Sequence, residues 1–337
     1  MPNNKNNDEE LAEVEVPEDI LNDLLEISGV GKTIAVKLYN GNYTEKMSIA
    51  VASPTELAAD TGIGIATASK IVISARDLCE LKYENAYEEL KRRKTMERFT
   101  TGCNALDLMM GGGIETGSLI EAYGEFRTGK TQLGIQLCVT VQLPKEKGGL
   151  NGKALFIDCE NTFRPERVLE IWDKYSSILK DREQVLRNII IAKAYNSQHL
   201  TFTVNEIPKI ITKHKDRPIR LVVIDSIMKH FRAEYVGRGT LADRQQKLNK
   251  VLHRLSNLSI AHNLAIFYPN QVSANPALMF GDPKQPIGGH IMAHASTYRI
   301  YLRKAKDNKR IARLVDSPCL PEVEAVFLIT ENGIEDE

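Results

Sequence analysis

The sequence predicts an α/β protein, a mainly parallel twisted sheet flanked by helices, preceded by a small all-α domain built on helix-hairpin-helix turns. Three observations predict it. From residue 99 onward, apolar strand-like runs alternate with amphipathic helical segments, the pattern of a largely parallel sheet. "GEFRTGKTQL" (124–133) places a glycine-rich loop between a predicted strand and a predicted helix. Ahead of both, "LLEISGVGKTIAVKL" and "ELAADTGIGIATASKIV" repeat a glycine–apolar–glycine turn with an offset of 33 residues.

Composition bounds the reading. The 337 residues suffice for one large domain and one small one. A hydrophobic share of 42% and a charged share of 26% suit an ordinary globular protein. No run of ~18 apolar residues is present, so no membrane span is expected. The opening "MPNNKNNDEE" has no apolar segment and does not read as a signal peptide. Cys79, Cys103, Cys138, Cys159 and Cys319 are scattered, odd in number and without a CxxC pair. That pattern predicts reduced thiols rather than a disulfide framework or a zinc site. Net charge is zero, but nine acids and one base fall in residues 1–26. The remainder keeps 43 basic against 35 acidic residues, a net of +8. A basic body behind an acidic tail is compatible with a polyanionic partner without requiring one.

Residues 1–17 are polar and acidic, and a disordered tail is expected there. Residues 18–80 carry the two glycine turns, Gly29-Val30-Gly31 and Gly62-Ile63-Gly64. Two copies are too few for a solenoid. A helix, a glycine–apolar–glycine turn and a second helix form a helix-hairpin-helix unit whose free N–H groups can face a DNA phosphate. The competing reading is two glycine helix caps in a small bundle; duplication at constant spacing favours the DNA-binding one. Residues 81–98, "LKYENAYEELKRRKTMER", are strongly charged and helix-favouring and read as a linker. In residues 99–337, strands are expected at "SLIEAYG", "KALFIDCE", "NIIIAKAY", "IRLVVIDS" and "LAIFYPNQ", and helices at 131–143 and 241–262. Leu248, Leu252, Leu255 and Leu258 recur at helical spacing and predict core packing. "TYRIYLRKAKDNKRIARLV" followed by "AVFLIT" predicts an antiparallel extension.

The loop from Gly124 to Thr131 fits G-x-x-x-x-G-K-[ST]. Backbone N–H groups at the start of the following helix cradle phosphates in such a loop. Lys130 supplies a charge to the β- and γ-phosphates and Thr131 a hydroxyl to Mg²⁺. Gly124, Glu125, Phe126, Arg127, Thr128, Gly129 and Gln132 complete the expected nucleotide-binding set. "LVVID" ends in Asp225, a carboxylate placed to hold the metal's water shell. "FIDCENTFRPER" places Glu160 at the carboxyl edge of the sheet, where ligands collect. There it can orient an attacking water, or it can be a simple helix-start acid. Asn270-Gln271 ends the next apolar strand, and an amide at that edge can sense a γ-phosphate or merely end a strand. His290 and His294 stand four residues apart without a third ligand nearby, which favours a structural or switch histidine over a metal pair.

At these motifs the chain resembles the archaeal and eukaryotic strand-exchange recombinases of the RecA superfamily, over roughly residues 18–337. The motifs that carry the resemblance are "GEFRTGKTQL", "ENTFRPER", "FRAEYVGRGTLADRQQKLN", "GDPKQPIGGHIMAHAS" and "DSPCLPE". The third and fourth look most like the archaeal RadA recombinases; the first two have eukaryote-like features. The resemblance implies a RecA-like P-loop ATPase core that uses ATP and Mg²⁺. Glu160 matches the water-activating glutamate, Arg164 the arginine stacked on adenine, and Gln271 the γ-phosphate sensor. Arg232, Arg238 and Arg244 match the first DNA loop. Residues 272–287, leading into Gly288 and Gly289, match the second. His294 matches a histidine that relays nucleotide state, and Asp316, Pro318 and Pro321 a cap over a neighbouring subunit's ATP.

Tyr83 and Ala86 match a polymerisation motif that usually begins with phenylalanine. Pro269 replaces a small polar residue, and the second loop is short and carries Pro276. The implied partners are single- and double-stranded DNA, further copies of the chain in a helical filament (or rings without DNA), and recombination mediators. The implied compartment is the archaeal cytoplasm, at the nucleoid, or the nucleus of a eukaryote. The implied activity is DNA-dependent ATP hydrolysis with homologous pairing and strand exchange. The alternatives are a paralogue that loads or stabilises filaments, and a hexameric helicase or clock-type ATPase. The duplicated glycine turn and "GRG" (237–239) argue against the last.

Overall fold

The structure, a computed structural model, describes residues 16–81, 83–274 and 284–337. The chain divides into two compact units between Tyr83 and Glu84.

The first unit is all helical: α1 (Glu18–Leu25), α2 (Lys32–Asn40), α3 (Lys46–Ala50), α4 (Pro54–Thr61) and α5 (Ile65–Leu78). Ile20 and Leu24 of α1 lie one turn apart and are buried, as are Ile71, Val72 and Ala75 of α5. Amphipathic helices too short to persist alone are held by this shared apolar core. Ser53 caps α4 by accepting from the Glu56 N–H, with Pro54 at the first helical position. The two glycine turns are built alike. Gly29 and Gly62 are left-handed, at φ +88° and +66°. Val30 and Ile63 enter the core, and Gly31 and Gly64 are the N-caps of α2 and α5. Of the expected tail, residues 1–15 lie outside the described residues. Val16 packs on the unit's core and Pro17 is the N-cap of α1, so those two belong to the folded unit. Among the described residues no single helix is long and apolar enough to cross a membrane.

The second unit opens with α6 (Ala86–Lys94), which has no buried residue. Asn85 caps it by accepting from the Tyr87 and Glu88 N–H groups. Residues 81–98 are therefore not a featureless linker. Their charge pattern places Glu88 beside Lys91 and Glu89 beside Arg92, pairs that support an exposed helix. Next come β1 (Arg98–Phe99), α7 (Asn104–Met109) and β2 (Ile114–Glu115), with β1 and β2 forming an antiparallel ribbon.

The main sheet contains β3 (Ser118–Gly124), β4 (Lys153–Asp158), β5 (Ile189–Lys193), β6 (Ile219–Asp225) and β7 (Ala265–Ala274), with β8 (Lys284–Pro286) paired to β7. It continues through β9 (Tyr298–Lys304), β10 (Lys309–Asp316), β11 (Glu324–Thr330) and β12 (Gly333–Asp336). Its order is β12-β11-β10-β9-β3-β7-β6-β4-β5. The part from β9 to β5 is parallel, and β9 to β12 is the expected antiparallel extension.

Helices cover both faces, so the central strands are apolar throughout. Phe156, Val223 and Phe267 face one core; Leu155, Val222 and Ile266 face the other. The first core takes α8 (Lys130–Thr140), α9 (Pro165–Asp173) and α10 (Arg182–Arg187). The second takes α11 (Ser197–Asn205), α12 (Ile207–Thr212), α13 (Met228–Glu234), α14 (Leu241–Ala261) and α15 (Gly289–Ala295). Leu248, Leu252, Leu255 and Leu258 of α14 are buried in that second core. Burial of each contributes roughly 1.5–3 kcal/mol. α8 stops before the expected residue 143 because Pro144 disfavours helical backbone in the residue ahead of it.

Candidate active site

The carboxyl edge of β3, β4, β6, β7 and β9 opens into a cleft of about 650 Å³. β3 delivers the glycine-rich loop to its floor. Gly124 lies between Gln271 of β7 and Leu302 of β9 in the sheet register. A side chain on Gly124 would meet the Leu302 carbonyl. Gly129 is left-handed at φ +103°, and a Cβ there would meet Ile329 at 2.8 Å. Both positions need glycine on backbone grounds. Residues 124 through 132 all line the cleft.

Lys130 opens α8 and folds back over the loop, its Nζ donating to the Gly124 and Glu125 carbonyls at 2.9 and 2.7 Å. Burial lowers its pKa, against the opposing pull of Asp225 and Glu160. The Thr131 hydroxyl donates to Asp225 Oδ2 at 2.7 Å. Asp225 is buried, and burial pushes its carboxyl up to about 6; the Thr131 bond opposes that rise, while Glu160 and Asp158 add to it. Uncompensated negative charge beside a hydroxyl suits a hard divalent cation whose other ligands are phosphate and water. Among the described residues no three His, Cys, Asp or Glu side chains converge as metal ligands. Thr131 and Asp225 thus fit a Mg²⁺ ion that shares its remaining ligands with phosphate and water.

Glu160 faces the cleft from the turn after β4. Asp158 shapes that turn by accepting from the backbone N–H groups of Glu160, Thr162 and Phe163. Ser226 Oγ donates to Glu160 Oε1 at 2.7 Å and sets the carboxylate's direction. Gln271 lines the cleft opposite. A second cavity, of about 300 Å³, shares Glu160, Ser226 and Gln271 with the first and runs to Lys229, Arg232 and Ile287. Arg232, of the predicted first loop, therefore stands in the cavity on the far side of Glu160. A third cavity begins at Arg127, Gly129 and Gln132 and extends to Asn308, Thr330 and Glu331.

Arg164 lines none of these three cavities. It is the N-cap of α9, and its guanidinium donates to the Asn161 and Phe163 carbonyls. Arg167, one helical turn on, forms the wall of the third cavity and donates to Gln132 and to the Thr330 and Glu331 carbonyls. Arg164 thus bonds the backbone of its own turn, while Arg167 borders the third cavity. Asp316, Pro318 and Pro321 are exposed and do not line the cleft of their own chain. His294 is exposed on α15, stacked with His290 at 6.1 Å, and does not line the cleft either.

Ser226, Lys304, Pro269 and Arg167 escaped assignment from sequence. Ser226 directly follows Asp225, and Arg167 lies inside "ENTFRPER". Lys304 carries no local signal, because only the pairing of β9 with β3 brings it to the cleft.

The flanking loops are described in part. Arg232 lies in the last turn of α13, Arg238 opens a single 3₁₀ turn, and Arg244 sits in the first turn of α14. The second loop is a narrow antiparallel base, Val272–Ala274 against Lys284–Pro286; residues 275–283, with Pro276, lie outside the described residues. Gly288 is left-handed at φ +100°, and a Cβ there would meet Met292. Gly289 is left-handed as well. In the first unit, a Cβ at Gly31 or Gly64 would meet no atom within 4 Å, and neither has positive φ. Nothing among the described residues demands glycine there, which leaves room for an outside group to approach the backbone. Tyr83 is fully exposed, and Ala86 is the first, exposed residue of α6.

A family model described as Rad51 matches residues 92–337. A second, described as a SAM-like helix-hairpin-helix tandem, matches residues 21–77.

Proposed function

The chain belongs to the Rad51 family of RecA-type recombinases, and from that membership we propose that it is a DNA-dependent ATPase that forms filaments on single-stranded DNA. In this reading it pairs them with homologous duplex and exchanges strands. Its loop motifs resemble those of the archaeal RadA recombinases, and the reading assigns it to that branch and the compartment that branch implies. The observation that carries the reading is the meeting of Lys130, Thr131, Asp225, Glu160 and Gln271 in one cleft whose neighbouring cavity reaches Arg232.

ATP takes the loop 124–132, with Lys130 neutralising the β- and γ-phosphates. Thr131 and Asp225 would hold Mg²⁺, which would supply positive charge to the phosphate oxygens. Glu160, aimed by Ser226, accepts a hydrogen bond from a water opposite the terminal phosphate. The water oxygen bonds to phosphorus as the bond to ADP breaks and the water's proton passes to Glu160, leaving ADP and inorganic phosphate. Positioning and charge do most of this work in phosphoryl transfer. The base and ribose extend toward the third cavity, against Arg167. Asp316, Pro318 and Pro321, exposed on their own chain, cap the nucleotide of the next subunit, docked through Tyr83 and Ala86. Arg238 and Arg244 follow the DNA backbone, a contact that reads no sequence. Gly31 and Gly64 offer a second DNA contact from the helix-hairpin-helix unit.

A joint-molecule assay tests the proposal. Product is expected with homologous duplex and ATP, and none with non-homologous duplex. ATP hydrolysis and DNA binding without joint molecules would replace it with a filament-loading or filament-stabilising role.

A further inference from the structure

A separate cavity of about 370 Å³ opens at the amino edge of the sheet. Asn151, Asn188 and Arg217 line it, and they stand just ahead of β4, β5 and β6. Those strands run parallel, so the nucleotide cleft lies at the opposite end of β4 and β6. The volume falls within the range of small-molecule sites. Part of the lining is apolar: Ile178 and Leu179 are half-buried there, and Val185 belongs to the first core.

Arg217 is half-buried in this wall. Its Nε donates to the Asn151 carbonyl at 2.7 Å. Its Nη2 donates to the Gln142 carbonyl at 2.6 Å and to Asn151 Oδ1 at 2.7 Å. A guanidinium has five N–H donors in a rigid plane. Among the described residues these bonds use three of them and fix the plane, and the pair on Nη1 is left over. All three acceptors are uncharged, so the positive charge is held but not neutralised. The neighbouring Asp216 is committed to Lys153, with both carboxylate oxygens 2.9 Å from its Nζ. Burial pulls the pKa of Arg217 below its usual value, against the attraction of Asp216. Lys180 adds a second, exposed positive charge to the lining. The acid in the lining, Asp181, is turned away to cap α10, its Oδ1 accepting from the Glu183 and Gln184 N–H groups.

We propose that this cavity binds a small organic anion, a single carboxylate, sulfonate or phosphate carried on an apolar body. The anionic group takes the free donors of Arg217 and lies near Lys180, and the body covers Ile178, Leu179 and Val185. A guanidinium already fixed by three bonds loses little freedom on taking an anion. Pairing also relieves a charge that is half withdrawn from water. A neutral apolar ligand would bury that charge further without a partner, and an inorganic anion would leave the apolar lining wet. Only a ligand with both parts satisfies both surfaces. The site is independent of the nucleotide cleft and of DNA.

The chain carries its own reporter. Trp172, its only tryptophan, donates from the indole Nε1 to the Leu179 carbonyl and so stands beside the cavity. The full-length protein is titrated with anilinonaphthalene sulfonate and, separately, with phenylnaphthylamine, the same apolar body without the anion. Magnesium and a saturating non-hydrolysable ATP analogue are present throughout, to keep both probes out of the cleft at the other edge. The sulfonate probe is expected to bind about tenfold or more tighter than the neutral one, and to quench Trp172 emission as it saturates. Arg217→Met keeps an apolar stem without the charge and should bring the two probes to equal affinity. Lys180→Glu, at an exposed position, should weaken the sulfonate probe severalfold and leave the neutral probe unchanged; it decides the matter if the Arg217 variant does not fold. Equal affinity of the two probes for the wild-type protein would overturn the inference. So would wild-type sulfonate binding by either variant with a cooperative melt, or saturation that leaves Trp172 emission unchanged.

Discussion

The hydroxyl of Thr131 donates to the carboxylate of Asp225 across 2.7 Å, although 94 positions separate the two residues. The first stands in the opening turn of the helix after the glycine-rich loop, and the second ends a strand two places away in the sheet. The pair makes the metal assignment testable without measuring turnover.

Asp225 is held at about 6, above its ordinary 3.8, because it is buried. The folded protein therefore binds that proton more tightly than the unfolded chain. Its contribution to stability is complete below about pH 4 and is lost as pH rises through about 6, an effect on the order of 2–3 kcal/mol. Without nucleotide, Asp225→Asn should gain melting temperature relative to wild type on going from pH 5 to pH 7.5. Magnesium with a nucleotide should stabilise wild type at pH 7.5 and the variant far less. A melting-temperature gap that stays constant between the two pH values would remove Asp225 from this role.

Lys130→Ala should weaken ATP binding and cut hydrolysis by about 10²-fold or more, since the phosphate charge loses its partner. Lys130→Arg keeps the charge but misplaces it, so binding with little turnover is expected. Equilibrium nucleotide binding and single-turnover hydrolysis, measured together, separate the two variants. Wild-type turnover by Lys130→Ala would reject the phosphate-loop assignment.

The third cavity distinguishes two nearby arginines. Arg167→Ala should raise the KM for ATP severalfold, because it removes a cavity wall beside Gln132. Arg164→Ala should leave KM close to wild type and act mainly on the start of α9. Steady-state kinetics showing the opposite order would make Arg164, not Arg167, the base-facing residue.

Arg238→Ala should lower DNA-stimulated ATP turnover and strand exchange while nucleotide binding survives. If this arginine pairs with a phosphate, the salt dependence of single-strand binding should flatten by about one contact. An unchanged slope with full exchange activity would take Arg238 off the DNA surface.

Tyr83→Ala should break assembly. The ring is fully exposed on its own chain, so its removal opens no cavity there. Losing an aromatic anchor from an interface costs about 2 kcal/mol or more, repeated at every junction. Light scattering at matched concentration should report a smaller particle, and hydrolysis should fall with it. A variant of wild-type size and DNA-stimulated turnover would show that the polymerisation element lies elsewhere.

Contiguous stretches carried much of this protein in the sequence alone. The loop from Gly124 to Thr131 is legible because its conformation depends on glycines and a helix start that are neighbours in the chain. The strands of the parallel sheet are legible because burial on both faces makes each a short apolar run. The two glycine turns are legible because each packs its middle residue on helices beside it. What the tertiary structure decided depends on strand register. Lys304 reaches the cleft, and Glu121 meets Arg299, only because β9 lies beside β3. Asn270 holds Ile287 only because the second loop folds back on β7. Arg167 rather than Arg164 faces the third cavity because the turn before α9 fixes which way each side points. Local sequence sets backbone preference over a few residues. Pairing between distant strands is set by how the whole apolar surface is buried, and no short motif encodes that.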